Sequence, residues 1–366
     1  MRRAFGFLLA GAAAASVAQV DVTGVLGRAP APGFAQAMAP RAFAFPADHG
    51  PHPEFRNEWW YFTGNLADAD GRHFGFQLTF FRVALSPVPA TRESAWATNQ
   101  AWMAHFTLTD TALGRFHTAE RLGRGALGLA GAKPSPFRVW LGDWQATGQG
   151  DSGFFPLRLT AAHEGFAIEL ELSALKPLVL QGDRGWDRKG PEPGNASHYY
   201  SYPRLAARGV VRSPNAFFDV AGTAWMDREW GTSALGRPLE GWDWISLQLS
   251  GDRELMLYRL RRRDGSMDAF SKAALILPTG ATVALSASEF RIEPRRWWTS
   301  PKTAVRYPVA WSVEIPSHGL SLKVEPRLDD QELDLSVRYW EGAVVARGRA
   351  GHETVTGQGY LELAGY

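Results

Sequence analysis

Apolar residues in this chain recur at every second position. Residues 74–80, FGFQLTF, put Phe74, Phe76, Leu78 and Phe80 on one side, and residues 166–172, FAIELEL, alternate in the same way. A period of two marks a strand with one buried face. The same spacing predicts strands over 245–249, 255–260, 275–277 and 333–337. No long segment carries the 3.6-residue period of an amphipathic helix, so an all-β fold is expected.

Two stretches echo each other. WWYFTGNLADADGRHFGFQL begins at Trp59 and WDWISLQLSGDRELMLYRL at Trp242; each reads as an aromatic-headed strand, a Gly/Asp turn and a second strand. That repetition predicts two similar β units. Between them, residues 182–205 are rich in Gly, Pro and charge and read as a long loop. A boundary after that loop gives an N-terminal unit of 43–207 and a C-terminal unit of 208–366.

Composition sharpens this picture. Fifteen Trp and 21 Phe among 366 residues, with 38 Gly and 23 Pro, suit short strands joined by tight turns. Lys plus Arg (39) nearly balances Asp plus Glu (37), and the basic residues are scattered, so no nucleic-acid partner is expected. The absence of cysteine removes disulfides, thiolate metal sites and Cys nucleophiles. MRRAFGFLLAGAAAASVAQV opens with two arginines, continues with an apolar run and reaches the small-x-small pattern Ser16-Val17-Ala18. It reads as a signal peptide over 1–18, by the general or the twin-arginine route, and predicts a periplasmic or secreted protein. Residues 19–42, Ala- and Pro-rich, read as a flexible tether. No later apolar run is long enough for a membrane-spanning helix.

Several familiar chemistries find no support. Ser152 in GDSG and His163 come in the wrong order and too close for a chymotrypsin-like pair. No nucleotide or phosphate loop is present, no cofactor is expected, and His49, His52 and Glu54 sit among prolines that suit a rigid entry loop better than a metal site. What stands out is two clusters of tryptophan and acid: EFRNEWWYF, with Trp59, Trp60 and Tyr61, and AWMDREWGTSALGRPLEGWDW, with Trp225, Asp227, Glu229, Trp230, Trp242, Asp243 and Trp244. Arg56, Glu58, Arg228 and Glu229 are expected to brace the fold as ion pairs. Asp243, between two tryptophans on a predicted strand, points away from both. In a greasy barrel lumen its pKa would rise, making it a candidate proton donor, with Asp227 and Glu229 in reserve. Trp225, Trp230 and Tyr258 would present aromatic faces to a developing cation.

The ordered set FPADHGPHPEFRNEWWYFTGNL, FGFQLTFFR, KPLVLQGDRGW, NASHYYSYPRL, GTAWMDREW, GWDWISLQL, YWEGAV and GQGYLELAGY resembles the AttH-like, carotenoid 1,2-hydratase-related family of exported lipocalin-like proteins. The resemblance runs from about residue 43 to the C-terminus. It implies two consecutive lipocalin-like antiparallel β-barrels and an aromatic cavity for an isoprenoid or other lipid, with cofactor-independent acid–base chemistry such as hydration. The alternative it leaves open is a non-catalytic lipid carrier or accessory protein of an ABC-transporter permease.

Overall fold

The computed structural model describes residues 20–21, 31–89, 91–149, 153–232, 235–236 and 239–366. The signal peptide expected over 1–18 and Ser152 lie outside the described residues. Two near-barrel sheets account for the fold, with two short 3-10 turns, Ala47–His49 and Pro316–His318, as the helical elements among the described residues. No helix there is long and apolar enough to cross a membrane.

The same plan builds both sheets. In the first, Asn57–Ala67 pairs with its hairpin mate His73–Ala84 on one side and with the last strand, Ala216–Gly231, on the other. In the second, Leu239–Leu249 pairs with Arg253–Arg262 and with the last strand, Glu353–Ala364. The two echoed sequences therefore occupy equivalent places. The turn in the second hairpin holds Gly251 and Asp252 at positive φ, where Gly and Asp are tolerated. The pairing is antiparallel except where Val20–Asp21 lies parallel to Val337 and Arg338.

Four expectations need correction. Ala196–Ser213 and Ala216–Gly231 both belong to the first sheet, so the units divide between Gly231 and Leu239 and not at 207/208. Strand Ala196–Ser213 begins inside the expected loop. Residues 196–201 are buried throughout, so its SHYYSY run shows no apolar–polar alternation to read. The tether expected over 19–42 is packed in its later part: the Ala35 amide donates to Glu54 O at 2.9 Å, and buried Ala37 accepts from Trp186 Nε1 at 2.7 Å. The single strand expected over 333–337 is two, Glu332–Asp334 and the start of Val337–Ala350.

Each barrel has its own core. Phe62, Phe76, Leu78 and Trp144 pack in the first; Ile245, Leu247, Trp311 and Trp340 pack in the second. At one end of the first barrel, Glu58 is fully buried between Arg82 and Arg228, and the Arg228 guanidinium lies 3.9 Å from the Trp60 ring centroid. The expected brace therefore forms from Glu58 and Arg228. Arg56 contributes its backbone amide, which donates to Thr232 Oγ1, and Glu229 faces elsewhere. His49 bonds Tyr200 at 2.7 Å, His52 bonds Asp48 at 3.0 Å, and Glu54 is exposed, so these three do not converge on a common point.

Candidate active site between the two barrels

Strand alternation decides which aromatic and acidic residues meet. In Ala216–Gly231, Met226 enters the first barrel's core and Arg228 its capped end, while Trp225, Asp227 and Glu229 point out. Asn57–Ala67 likewise sends Trp60 and Phe62 in and Trp59 and Tyr61 out. Leu239–Leu249 sends Ile245 and Leu247 into the second core and Trp242 and Trp244 out. The outward faces of the two barrels meet and enclose a cleft. It amounts to about 780 Å³ counted out to open solvent. This cleft lies in the seam between the two packed cores, where a barrel lumen had been expected to form the cavity.

The seam brings together most of the residues singled out from sequence. Trp59, Tyr61, Asp227, Glu229, Trp242, Trp244 and Tyr258 line it. Trp225 backs the wall, edge-on to Trp244 with centroids 6.3 Å apart. Three candidates are elsewhere. Trp60 donates its N–H to His49 O at 2.9 Å inside the first barrel, and Trp230 stacks on His52 with centroids 3.8 Å apart. Asp243 is the larger correction. It is fully buried on the opposite face from Trp242 and Trp244, 3.1 Å from Arg261 and 3.4 Å from Arg259, and it accepts the Tyr366 hydroxyl at 2.6 Å. Burial pushes its carboxyl up against the pull of Arg261 and Arg259, yet it does not reach the seam. It is a structural partner for arginines.

Asp227 takes the place expected of Asp243. Its carboxylate accepts Trp225 Nε1 at 2.8 Å and the Ser201 hydroxyl, and Tyr199 also bonds it. All three donors are neutral. Burial therefore prevails over these hydrogen bonds, and with some help from the Glu229 charge its pKa is pushed up to about 7. Glu229 is raised by burial too, but Lys189 Nζ sits 3.1 Å away and pulls against it. Lys189 also meets Asp187 at 2.9 Å and lies 4.4 Å from the Tyr258 ring centroid. Asp187 accepts the Tyr258 hydroxyl at 2.8 Å and Lys272 at 2.8 Å; burial opposes its charge, but Lys189 and Lys272 hold its pKa down at about 2. Among the described residues, no three His, Asp or Glu side chains gather as a metal site.

Other seam residues escaped sequence reading. Lys189, Tyr199, Tyr339 and Glu362 also line the cleft. Glu362 accepts Trp242 Nε1 at 2.5 Å and pairs across the strands with Glu341, whose carboxyl accepts the Tyr61 hydroxyl at 2.6 Å. Burial raises both glutamates, Glu341 strongly. Their signal was an acid inside an otherwise apolar strand, in YWEGAV and GYLELAGY.

A family model described as AttH-like matches residues 36–366. The chain belongs to the AttH-like family. The crystal structure of the AttH-designated protein of Nitrosomonas europaea is 36% identical, with a TM-score of 0.81 over 91% of this chain and 100% of that one. Kievitone hydratase from Nectria haematococca shares the AttH-like fold at 16% identity, with a TM-score of 0.69 over 90% of this chain and 95% of its own. By sequence, the chain is 25% identical over 195 residues to the dehydratase asqC of Emericella nidulans. That match takes in 50% of this AttH-like chain and spans about half of the dehydratase, 53%.

Proposed function

We propose that this protein binds a lipophilic, uncharged molecule in the seam and adds water to it, or removes water from it, with Asp227 as the proton donor. The observation that carries this reading is a carboxyl group in an aromatic cleft whose hydrogen-bond donors are all neutral and whose pKa is about 7. Such a group still holds its proton near neutrality and can give it to an alkene carbon as water adds; in water loss its carboxylate takes that proton back from carbon. The positive charge that develops would face Trp244 and Tyr61, whose rings meet edge to face at 5.3 Å. A relative named a dehydratase and a fold neighbour named a hydratase are consistent with gain or loss of water. Action outside the cytoplasm, expected from residues 1–18, belongs to the same proposal.

The test starts with protein purified from its own host. Native mass spectrometry identifies the released molecule, which is then incubated in H₂¹⁸O with wild type and with Asp227→Asn. Incorporation or loss of water by wild type, slowed on the order of a hundredfold in the variant, is expected. A bound lipid left unchanged by wild type would instead make the protein a carrier.

A further inference from the structure

We infer that Tyr339 is the proton acceptor of the seam, with His105 and Glu120 behind it as positioning residues. The inference rests on the seam being an active site, and it does not depend on Asp227 being its acid.

Tyr339 lines the cleft from the second barrel, and its hydroxyl reaches across to the first. It lies 2.7 Å from His105 Nδ1 and accepts Gln77 Nε2 at 2.9 Å. His105 is fully buried, and its other nitrogen lies 3.1 Å from Glu120 Oε1. His105 and Glu120 are direct cross-strand partners, which fixes that contact in the sheet register. The Ser336 hydroxyl donates to the same Glu120 oxygen at 2.6 Å.

The proton positions follow from the chain of donors and acceptors. Partial burial pushes the Glu120 carboxyl up, but the hydrogen bonds from His105 and Ser336 hold it below the usual range. An ionised Glu120 only accepts, so His105 Nε2 carries a hydrogen, and in the neutral imidazole Nδ1 is then the acceptor. Tyr339 must therefore donate to His105. With Gln77 donating to the phenol oxygen, one lone pair is left for the cleft.

This is the arrangement that lets a weakly acidic hydroxyl act as a base. When water adds to a substrate, its oxygen bonds to the electron-poor carbon and its spare proton passes to the Tyr339 oxygen. The phenolic proton moves at the same time to His105 Nδ1, and the imidazolium is stabilised by Glu120. Glu120 keeps 15% of its side chain exposed, so the proton can leave to solvent from there. Read backwards, the same chain supplies the proton in water loss.

The test uses 5-nitrobenzisoxazole, a flat aromatic probe that reports a positioned base. Removal of its C3 proton forms the nitrile, breaks the N–O bond and releases a coloured phenolate. Wild type is expected to turn the probe over. Tyr339→Phe, which keeps the ring, is expected to reduce kcat on the order of a hundredfold. Glu120→Gln, which keeps the side chain's shape at a half-buried position, is expected to lower kcat about tenfold with KM unchanged, a split that loss of packing would not produce. Wild type no faster than acetate buffer, or wild-type kcat in either variant, would overturn the inference.

Discussion

Trp225 donates its indole N–H to the carboxylate two residues along its own strand, Asp227, at 2.8 Å. Residues i and i+2 share a strand face, so the tryptophan that makes the wall apolar also fixes the acid's orientation. The Ser201 hydroxyl, steadied by Gln181 Nε2 at 2.9 Å, holds the same carboxylate oxygen. Tyr199 bonds the same carboxylate, so the acid is held by three neutral donors.

Activity should follow the protonated form of Asp227. With its pKa at about 7, turnover by proton donation is expected to stay level at lower pH and to fall as pH rises through about 7. A pH–rate profile of the released compound checks this. A limb rising with pH through the same region would assign Asp227 as a base instead.

Asp227→Asn should stabilise the protein as it removes activity. The unfolded carboxyl loses its proton near 3.8 and the folded one near 7, so the wild type's stability from this group is fully present below 3.8 and is lost as pH rises to 7. The variant's advantage should grow by about 1.4 kcal/mol per pH unit across that window. Urea unfolding at pH 4, 5.5 and 7.5 measures it, and an advantage independent of pH would contradict the raised pKa.

Asp243→Asn should behave in the opposite way. It weakens the pairing with Arg261 and Arg259 and the bond from Tyr366, and because burial raises the Asp243 carboxyl despite both arginines, any loss of stability is expected to shrink as pH rises. Turnover per folded molecule is expected to be unchanged, because Asp243 faces the second lumen. A loss of kcat without loss of stability would restore it as a candidate acid.

Glu58→Gln should be the most damaging of these changes to the fold. Burial opposes the Glu58 charge, but Arg228 and Arg82 pull harder and hold the carboxyl well below the usual range. A depressed folded pKa gives stability that is present above about 4.5 and lost as pH falls below it. The variant is expected to lose about 3 to 5 kcal/mol at pH 7, with the gap narrowing in acid. Paired denaturant curves at pH 7 and pH 3.5 show whether it does.

Local alternation was legible in the sequence and pairing between distant strands was not. The period of two correctly separated Trp242 and Trp244 from Asp243, but it was not applied to Trp59, Trp60 and Tyr61, and Trp60 lies in the first core. It could not say which face meets the other barrel, because both faces of these strands are buried. Choosing the lumen as the cavity carried Asp243 forward and left Asp227 in reserve. Tyr339, Glu362 and Lys189 lie more than thirty residues from the two tryptophan clusters or outside their strands, and only strand pairing brings them in. The misplaced boundary has the same origin: the first residues of Ala196–Ser213 are buried on both sides and carry no alternation, so they read as a loop.

Each barrel packs a core of its own, separate from the cluster of Tyr61, Trp225, Trp244 and Tyr258 at the seam. Substitutions among the seam's facing side chains can then redraw what fits there while the two scaffolds stand. A pocket made where two finished bodies touch is free to diverge, and one architecture can serve many different guests.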